Sequence, residues 1–287
     1  MNERRLSRRS LLRASLLAAG AVATPWLARN GHGEIGRVVK HGRINQSASR
    51  WCYNKLTLDA LCEAGAQLGL QGIDLLGPQD FPTLKKYGLV CTMTSGGGSL
   101  NDPAQHEQTI ARIRKLIEAN AEYGFRNVIA MSGNRDGIPD DVGIENAVAA
   151  LKSVASFAEE KRVTICIEYL NSKVDHAGYM FDHMAWGVEV CQRVGSPNVK
   201  ILYDIYHAQI MEGDVIRTIQ THKDLIGHYH TGGNPGRHEI DDTQELNYRA
   251  IMRAIVATGY QGYVAHEFVP TRDPIESLAE AIEICDV

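Results

Sequence analysis

From Ile44 onward the chain alternates short apolar runs with longer segments whose apolar positions recur at helical spacing. Side chains alternate faces with period 2 along a strand and recur every 3.6 residues along a helix, so the two patterns can be told apart. The runs INQSASRWCY from Ile44, GIDLLG (72–77), LVCTMT (89–94) and NVIAMSGN (127–134) read as the first four strands. VTICIEYLN from Val163, VKILYDIYH from Val199, LIGHYHTGG from Leu225 and GYVAHEFVP from Gly262 read as four more. Between them, Leu58, Leu61, Cys62, Gly65 and Leu68 mark a helix stopped by Gly69, and FPTLKKYG a short helical turn stopped by Gly88. Ile110, Ile113, Leu116, Ile117, Ala121 and Tyr123 mark a longer helix stopped by Gly124, and another is predicted from Ile144 to Lys161. Later helices are expected in MFDHMAWGVEVCQRVG with Asp182 as cap, in VIRTIQTH capped by Asp214, from Tyr248 to Thr258, and from Pro274 onward. Eight strands alternating with helices point to an α/β fold with a parallel sheet. The 244 residues from Ile44 to Val287 fit a single closed (β/α)8 TIM barrel of roughly 250 residues. An open doubly wound sheet fits less well, because SGGGS (95–99) follows the third strand without a GxGxxG pattern.

The pattern before Ile44 is different. SRRSLLR (7–13) precedes an apolar stretch, ASLLAAGAVATPWLA, from Ala14. A basic head, a short apolar run and small residues near its end read as a signal peptide, and paired Arg8 and Arg9 point to the twin-arginine type. The expected organisation is a signal peptide over 1–28, cut near residues 23–28 for a periplasmic protein, a Gly-rich linker over 29–43, and the barrel over 44–287. No membrane span is expected, since about 20 apolar residues are needed and Gly20 and Pro25 break this run. Residues 1–28 carry Arg4, Arg5, Arg8, Arg9 and Arg13 against Glu3, so removing them takes the net charge from −4 to −8. Binding a phosphate backbone relies on Lys and Arg releasing counterions, so nucleic acid is not an expected partner. The six cysteines show no CxxC spacing, and the fold is not expected to depend on a disulfide.

Four strand runs close on residues able to bind a metal: Glu168, Asp204, His230 and Glu267. Each stands five residues after the start of its run, and successive ones lie 36, 26 and 37 residues apart. Ligands at one offset on four strands point to one side at the C-terminal end of the sheet, where barrels of this kind carry their chemistry. Three converging carboxylates repel one another unless a cation joins them. Three oxygen ligands with one imidazole suit Mn2+, Mg2+ or Co2+, with Zn2+ also within range. His207, three residues beyond Asp204, and Arg237, in the loop TGGNPGRHEIDDTQELNY, are placed to contact substrate oxygens. Glu239 and Asp241 are candidates to pair with Arg237 or a neighbour. His228 shares the inward face with His230 one layer deeper, and His266 points away from the Glu267 face.

The stretches ICIEYLN, ILYDIYH, IGHYH, NPGRHE, ELNY and VAHEF resemble the hydroxypyruvate isomerase branch of the xylose isomerase-like barrel superfamily. The likeness runs from Ser49 to the C-terminus, and NPGRHE is its most specific part. It implies a divalent metal on Glu168, Asp204, His230 and Glu267, with Glu168 and Glu267 as the proton-transfer pair and His207 and Arg237 as substrate contacts. The implied substrate is a small sugar or hydroxy-keto acid: hydroxypyruvate, converted to tartronate semialdehyde through an enediolate. One departure is His230, where hydroxypyruvate isomerases carry Gln and ketose 3-epimerases carry His, so an epimerase or other sugar isomerase is the alternative on the same site. A nuclease acting at abasic sites is disfavoured by the acidic charge. An exported sugar-binding protein without turnover is disfavoured because neutral sugars need no three convergent carboxylates.

Overall fold

The computed structural model describes residues 36–287; the expected twin-arginine segment and the start of the linker lie outside them. Eight strands, β1 Asn45–Ser49, β2 Gly72–Asp74, β3 Val90–Cys91, β4 Asn127–Ala130, β5 Thr164–Glu168, β6 Val199–Asp204, β7 Ile226–Thr231 and β8 Tyr263–His266, follow one another with helices between them. They form one parallel sheet in the order β3-β2-β1-β8-β7-β6-β5-β4. The sheet closes on itself through Thr94, which bridges Leu76 on one side and Val128 on the other. Its N–H donates to the Asn127 carbonyl (2.9 Å) and its own carbonyl accepts from Ile129 N (3.1 Å). A closed parallel barrel leaves no sheet edge unpaired.

The helices are α1 Leu58–Leu68, α2 Phe81–Lys86, α3 His106–Tyr123, α4 Asp140–Lys161, α5 Met184–Val194, α6 Ile205–Met211, α7 Val215–His222, α8 Tyr248–Ala257 and α9 Pro274–Cys285. α1 and α3 end on Gly69 and Gly124 in the left-handed conformation, which glycine adopts without steric cost. The main apolar core lies between strands and helices. A smaller buried cluster of Met93, Ile129, Cys166 and Leu202 fills the barrel interior. Cys166 and Leu202 stand two residues before Glu168 and Asp204 on the same strand faces, so this cluster floors the site.

Several local details differ from the sequence reading. VKILYDIYH divides at Asp204: the strand stops there and α6 begins, because Asp204 Oδ1 accepts from Tyr206 N (2.8 Å) and His207 N (3.2 Å) as an N-cap. Asp182 does not cap α5. His183 holds that position, and Asp182 pairs with Arg135 (2.9 Å). Asp214 stands at the N-cap of α7, but its carboxylate turns to Arg217 Nε (2.9 Å) rather than to the helix N–H groups. Part of the stretch read as linker is tied to the barrel: Val38 N donates to the Leu68 carbonyl (2.9 Å). The Asp286 carboxylate accepts from the N–H groups of Lys40 (2.5 Å), His41 (2.8 Å) and Gly42 (2.8 Å). All six cysteines are buried and unpaired. Among the described residues no helix is long and apolar enough to cross a membrane.

Candidate active site

Glu168 and Asp204 end β5 and β6, His230 is the penultimate residue of β7, and Glu267 follows β8 directly. Equal offsets along the sequence do not put them level in the sheet. Glu168 pairs with Leu202, Asp204 with His230, and His230 with Ala265. The even-numbered stagger keeps all four side chains on the inner face. One donor atom from each lies within 4.8 Å of all the others, and all four residues are buried. His230 is the hub. Its Nδ1 stands 2.7 Å from Glu267 Oε2, 3.4 Å from Glu168 Oε1 and 3.8 Å from Asp204 Oδ2.

Arg237 enters the same space from the loop after β7. Its guanidinium donates to Glu267 Oε2 (2.5 Å) and Asp204 Oδ2 (3.2 Å), and lies over the rings of Trp51 and Tyr206 at 5.2 and 5.3 Å. Glu239 and Asp241 do not pair with it. Glu239 accepts from Thr271 and Ser277, and Asp241 pairs with Arg272 (2.6 Å), so both brace the loop after β8. His207 is fully buried at the start of α6, with Nε2 3.6 Å from Asp204 Oδ2. Its Nδ1 lies 2.6 Å from Asn171 Nδ2. An amide nitrogen only donates, so His207 Nδ1 accepts and Nε2 carries the proton, facing the site as a donor. Among the described residues that Nε2 has no hydrogen-bond partner. His266 is occupied by Gln46 (2.8 Å) and Thr231 (3.2 Å), away from the site.

Burial and crowding push the ionisable groups apart. Burial drives Asp204 up to about 7, against Arg237, with Glu267 adding to the rise. Glu267 is held well below the usual carboxylate range: burial opposes this, but His230 and Arg237 outweigh it. His230 is raised well above its ordinary value because Glu267, Asp74 and Glu168 overcome its burial. Burial, then the Arg237 charge, keeps His207 neutral. The donor set suits a divalent cation on one specific observation. Among the described residues the buried His230 Nδ1 finds no aligned hydrogen bond, and it faces three carboxylates at the focus of the cluster.

Three contributors escaped the sequence reading. Trp51, in the turn after β1, donates Nε1–H to Glu267 Oε1 at 2.6 Å. Asn171, three residues past Glu168 in ICIEYLN, orients His207. Asp74, at the end of β2, accepts from the far nitrogen of His230 (2.9 Å) and lies 3.2 Å from His228 Nε2. An acidic residue inside the apolar run GIDLLG was the one available signal for Asp74.

The fold is a closed (β/α)8 barrel, and the buried set of three carboxylates and one imidazole at the C-terminal ends of its strands is consistent with a metal-binding site. The chain belongs to the xylose isomerase-like TIM barrel family, whose sequence model matches residues 82–286. It is 37% identical over 120 residues to a 2-oxo-tetronate isomerase of Cupriavidus necator, covering 42% of this chain and 45% of that protein. It is 29% identical over 178 residues to a putative hydroxypyruvate isomerase of Homo sapiens, covering 59% and 64%. The alignments thus span about half to just under two thirds of these relatives' lengths. Among solved structures, a family 2 AP endonuclease from Brucella melitensis superposes with a TM-score of 0.72 at 26% identity, over 83% of this chain and 98% of that one.

Proposed function

We propose that the protein is a divalent-metal-dependent isomerase of a small α-hydroxy carbonyl compound, and that its reaction converts hydroxypyruvate to tartronate semialdehyde. The observation that carries the reading is the convergence of Glu168 and Glu267, from β5 and β8, on the single buried nitrogen of His230. A divalent cation held by Glu168, Asp204, His230 and Glu267 would polarise neighbouring carbonyl and hydroxyl oxygens and so acidify the C–H bond beside them. One of the two glutamates takes the proton from C3 of hydroxypyruvate, and the C3–H electron pair moves to give an enediolate. The other delivers a proton to C2 while the hydroxyl proton passes from O3 to O2, leaving an aldehyde at C3 and a hydroxyl at C2. His207 donates its Nε2–H to a substrate oxygen, and Arg237 pairs with the carboxylate. Trp51 and Asn171 hold Glu267 and His207 in place. The names of the isomerase relatives support the reaction class.

Reprotonation of the carbon that lost its proton would make the same residues a ketose 3-epimerase, and His230, the residue that epimerases carry, favours that second reading. Purified protein offered hydroxypyruvate, 2-oxo-tetronate and a ketose panel separates the two. Turnover of the keto acids supports isomerisation, epimerised ketoses support the alternative, and no turnover of any sinks both. We further propose that residues 1–28 direct twin-arginine export, as SRRSLLR and its apolar sequel suggest.

A further inference from the structure

We propose that Asp74 is a positioning residue that decides which nitrogen of His230 faces the three carboxylates. The inference rests on the cation-site reading above. An imidazole that ligates a cation has given up its second proton and carries one N–H, and the partner of one nitrogen fixes the role of the other. Two carboxylates compete for that proton. Glu267 Oε2 lies 2.7 Å from Nδ1 and Asp74 Oδ2 lies 2.9 Å from Nε2. If Glu267 held it, the ring would present N–H to the cluster and offer no lone pair to a cation. With the proton on Nε2, Nδ1 becomes a ligand directed at Glu168, Asp204 and Glu267.

The surroundings of Asp74 favour the second outcome. The residue is fully buried, and Thr92 Oγ1 donates to its Oδ1 at 2.5 Å. His228 Nε2 stands 3.2 Å from the same oxygen, and Ser47 Oγ lies 3.0 Å behind Thr92 Oγ1. A carboxylate that already accepts from Thr92 stays ionised and accepts only, so the His230 nitrogen beside it must donate. The His228 ring meets the His230 ring edge-on, with centroids 5.2 Å apart, which limits tilting of the imidazole. A buried carboxylate is costly unless it is hydrogen-bonded, and this one is, to Thr92 and His230. Asp74 therefore acts on the site through His230. It contributes no ligand atom to the upper cluster.

The test uses full-length protein with Zn2+ as a diamagnetic probe. In protein labelled with 15N-histidine, the His230 resonances, assigned by their loss in His230→Gln, should show Nδ1 bound to zinc and Nε2 protonated. Zinc affinity, measured by competition with a chromophoric chelator, should fall about 10–100-fold in Asp74→Asn. There Thr92 and His230 compete for a single acceptor oxygen, so the amide nitrogen can turn toward His230 and draw the proton to Nδ1. Zinc bound through Nε2 in the wild type overturns the proposal without any variant. So does undiminished affinity in Asp74→Asn whose circular dichroism matches the wild type. Wild-type protein that takes up no zinc overturns the cation-site reading, and this inference with it. Wild-type binding with an unaffected variant overturns the role of Asp74 alone.

Discussion

Replacing Glu267 with Gln separates proton transfer from metal binding most cleanly. The change keeps the shape and removes a charge held by three contacts: Trp51 Nε1 at 2.6 Å, Arg237 at 2.5 Å and His230 Nδ1 at 2.7 Å. Gln keeps one oxygen acceptor, so one donor loses its partner, a cost of about 1–3 kcal/mol. Trp51 is 39% exposed and can turn to water, and Arg237 retains Asp204. The loss is therefore tolerable within the roughly 5–15 kcal/mol of a typical domain, and the variant should fold. On the proposed reading Glu168, Asp204 and His230 would remain as ligands, so measurable metal should stay bound at saturating concentrations. Turnover should fall by about 10²–10⁴, the usual contribution of a positioned general base or acid, or about 2.7–5.4 kcal/mol in barrier. Glu168→Gln should behave alike. Asp204→Asn should act mainly through weaker metal affinity, so excess metal should partly restore it. The assay is metal content by elemental analysis beside turnover for all three. A Glu267→Gln protein that holds its metal and works at nearly the wild-type rate would refute the two-glutamate mechanism.

Other outcomes follow from the same geometry. Asn171→Ala frees His207 Nδ1 from its donor, so kcat/KM should drop about tenfold with metal content unchanged; equal loss of metal would contradict the assigned role. Asp286→Ala removes the acceptor for the N–H groups of Lys40, His41 and Gly42 and should cost about 1–3 kcal/mol, lowering Tm by a few degrees. Those N–H groups hold the Asp286 carboxyl below its usual value against the effect of burial. Its contribution is therefore present above about pH 4 and lost as the pH falls through the lower folded value, so wild type and variant should converge in acid; a Tm gap unchanged at low pH contradicts this. Changing Arg8 and Arg9 to Lys in a fusion of residues 1–28 to a reporter should abolish its periplasmic signal, and continued export would argue against the twin-arginine route.

The barrel was legible because buried parallel strands leave apolar runs at regular spacing, and the glycines after Leu68 and Tyr123 mark real helix ends. The convergence of Glu168, Asp204, His230 and Glu267 was legible for the same reason: a common offset with period 2 leaves all four on one face. The sequence was silent on what crosses the barrel. Asp74 meets His230 across 156 residues, and β2 is only three residues long, so no local pattern joined them. Trp51 reaches Glu267 only because β1 pairs with β8. Arg237 stood out as a cation, but its position between Asp204 and Glu267 depends on how the loop after β7 folds back. α6 was hidden because its apolar residues continue the run of β6, and the stop lies in the capping carboxylate of Asp204.

The central claim is that Glu168 and Glu267 pass a proton between two carbons of the substrate with a cation bound among their neighbours. Turnover of hydroxypyruvate in D2O, followed by NMR at C2 of tartronate semialdehyde, tests it most directly. The proposed chemistry puts solvent deuterium at C2 in protein loaded with Mn2+, because the proton delivered there comes from an exchangeable carboxyl group, and it gives no product once the metal is chelated. Product carrying only the original hydrogen at C2, or full turnover in metal-free protein, would contradict it.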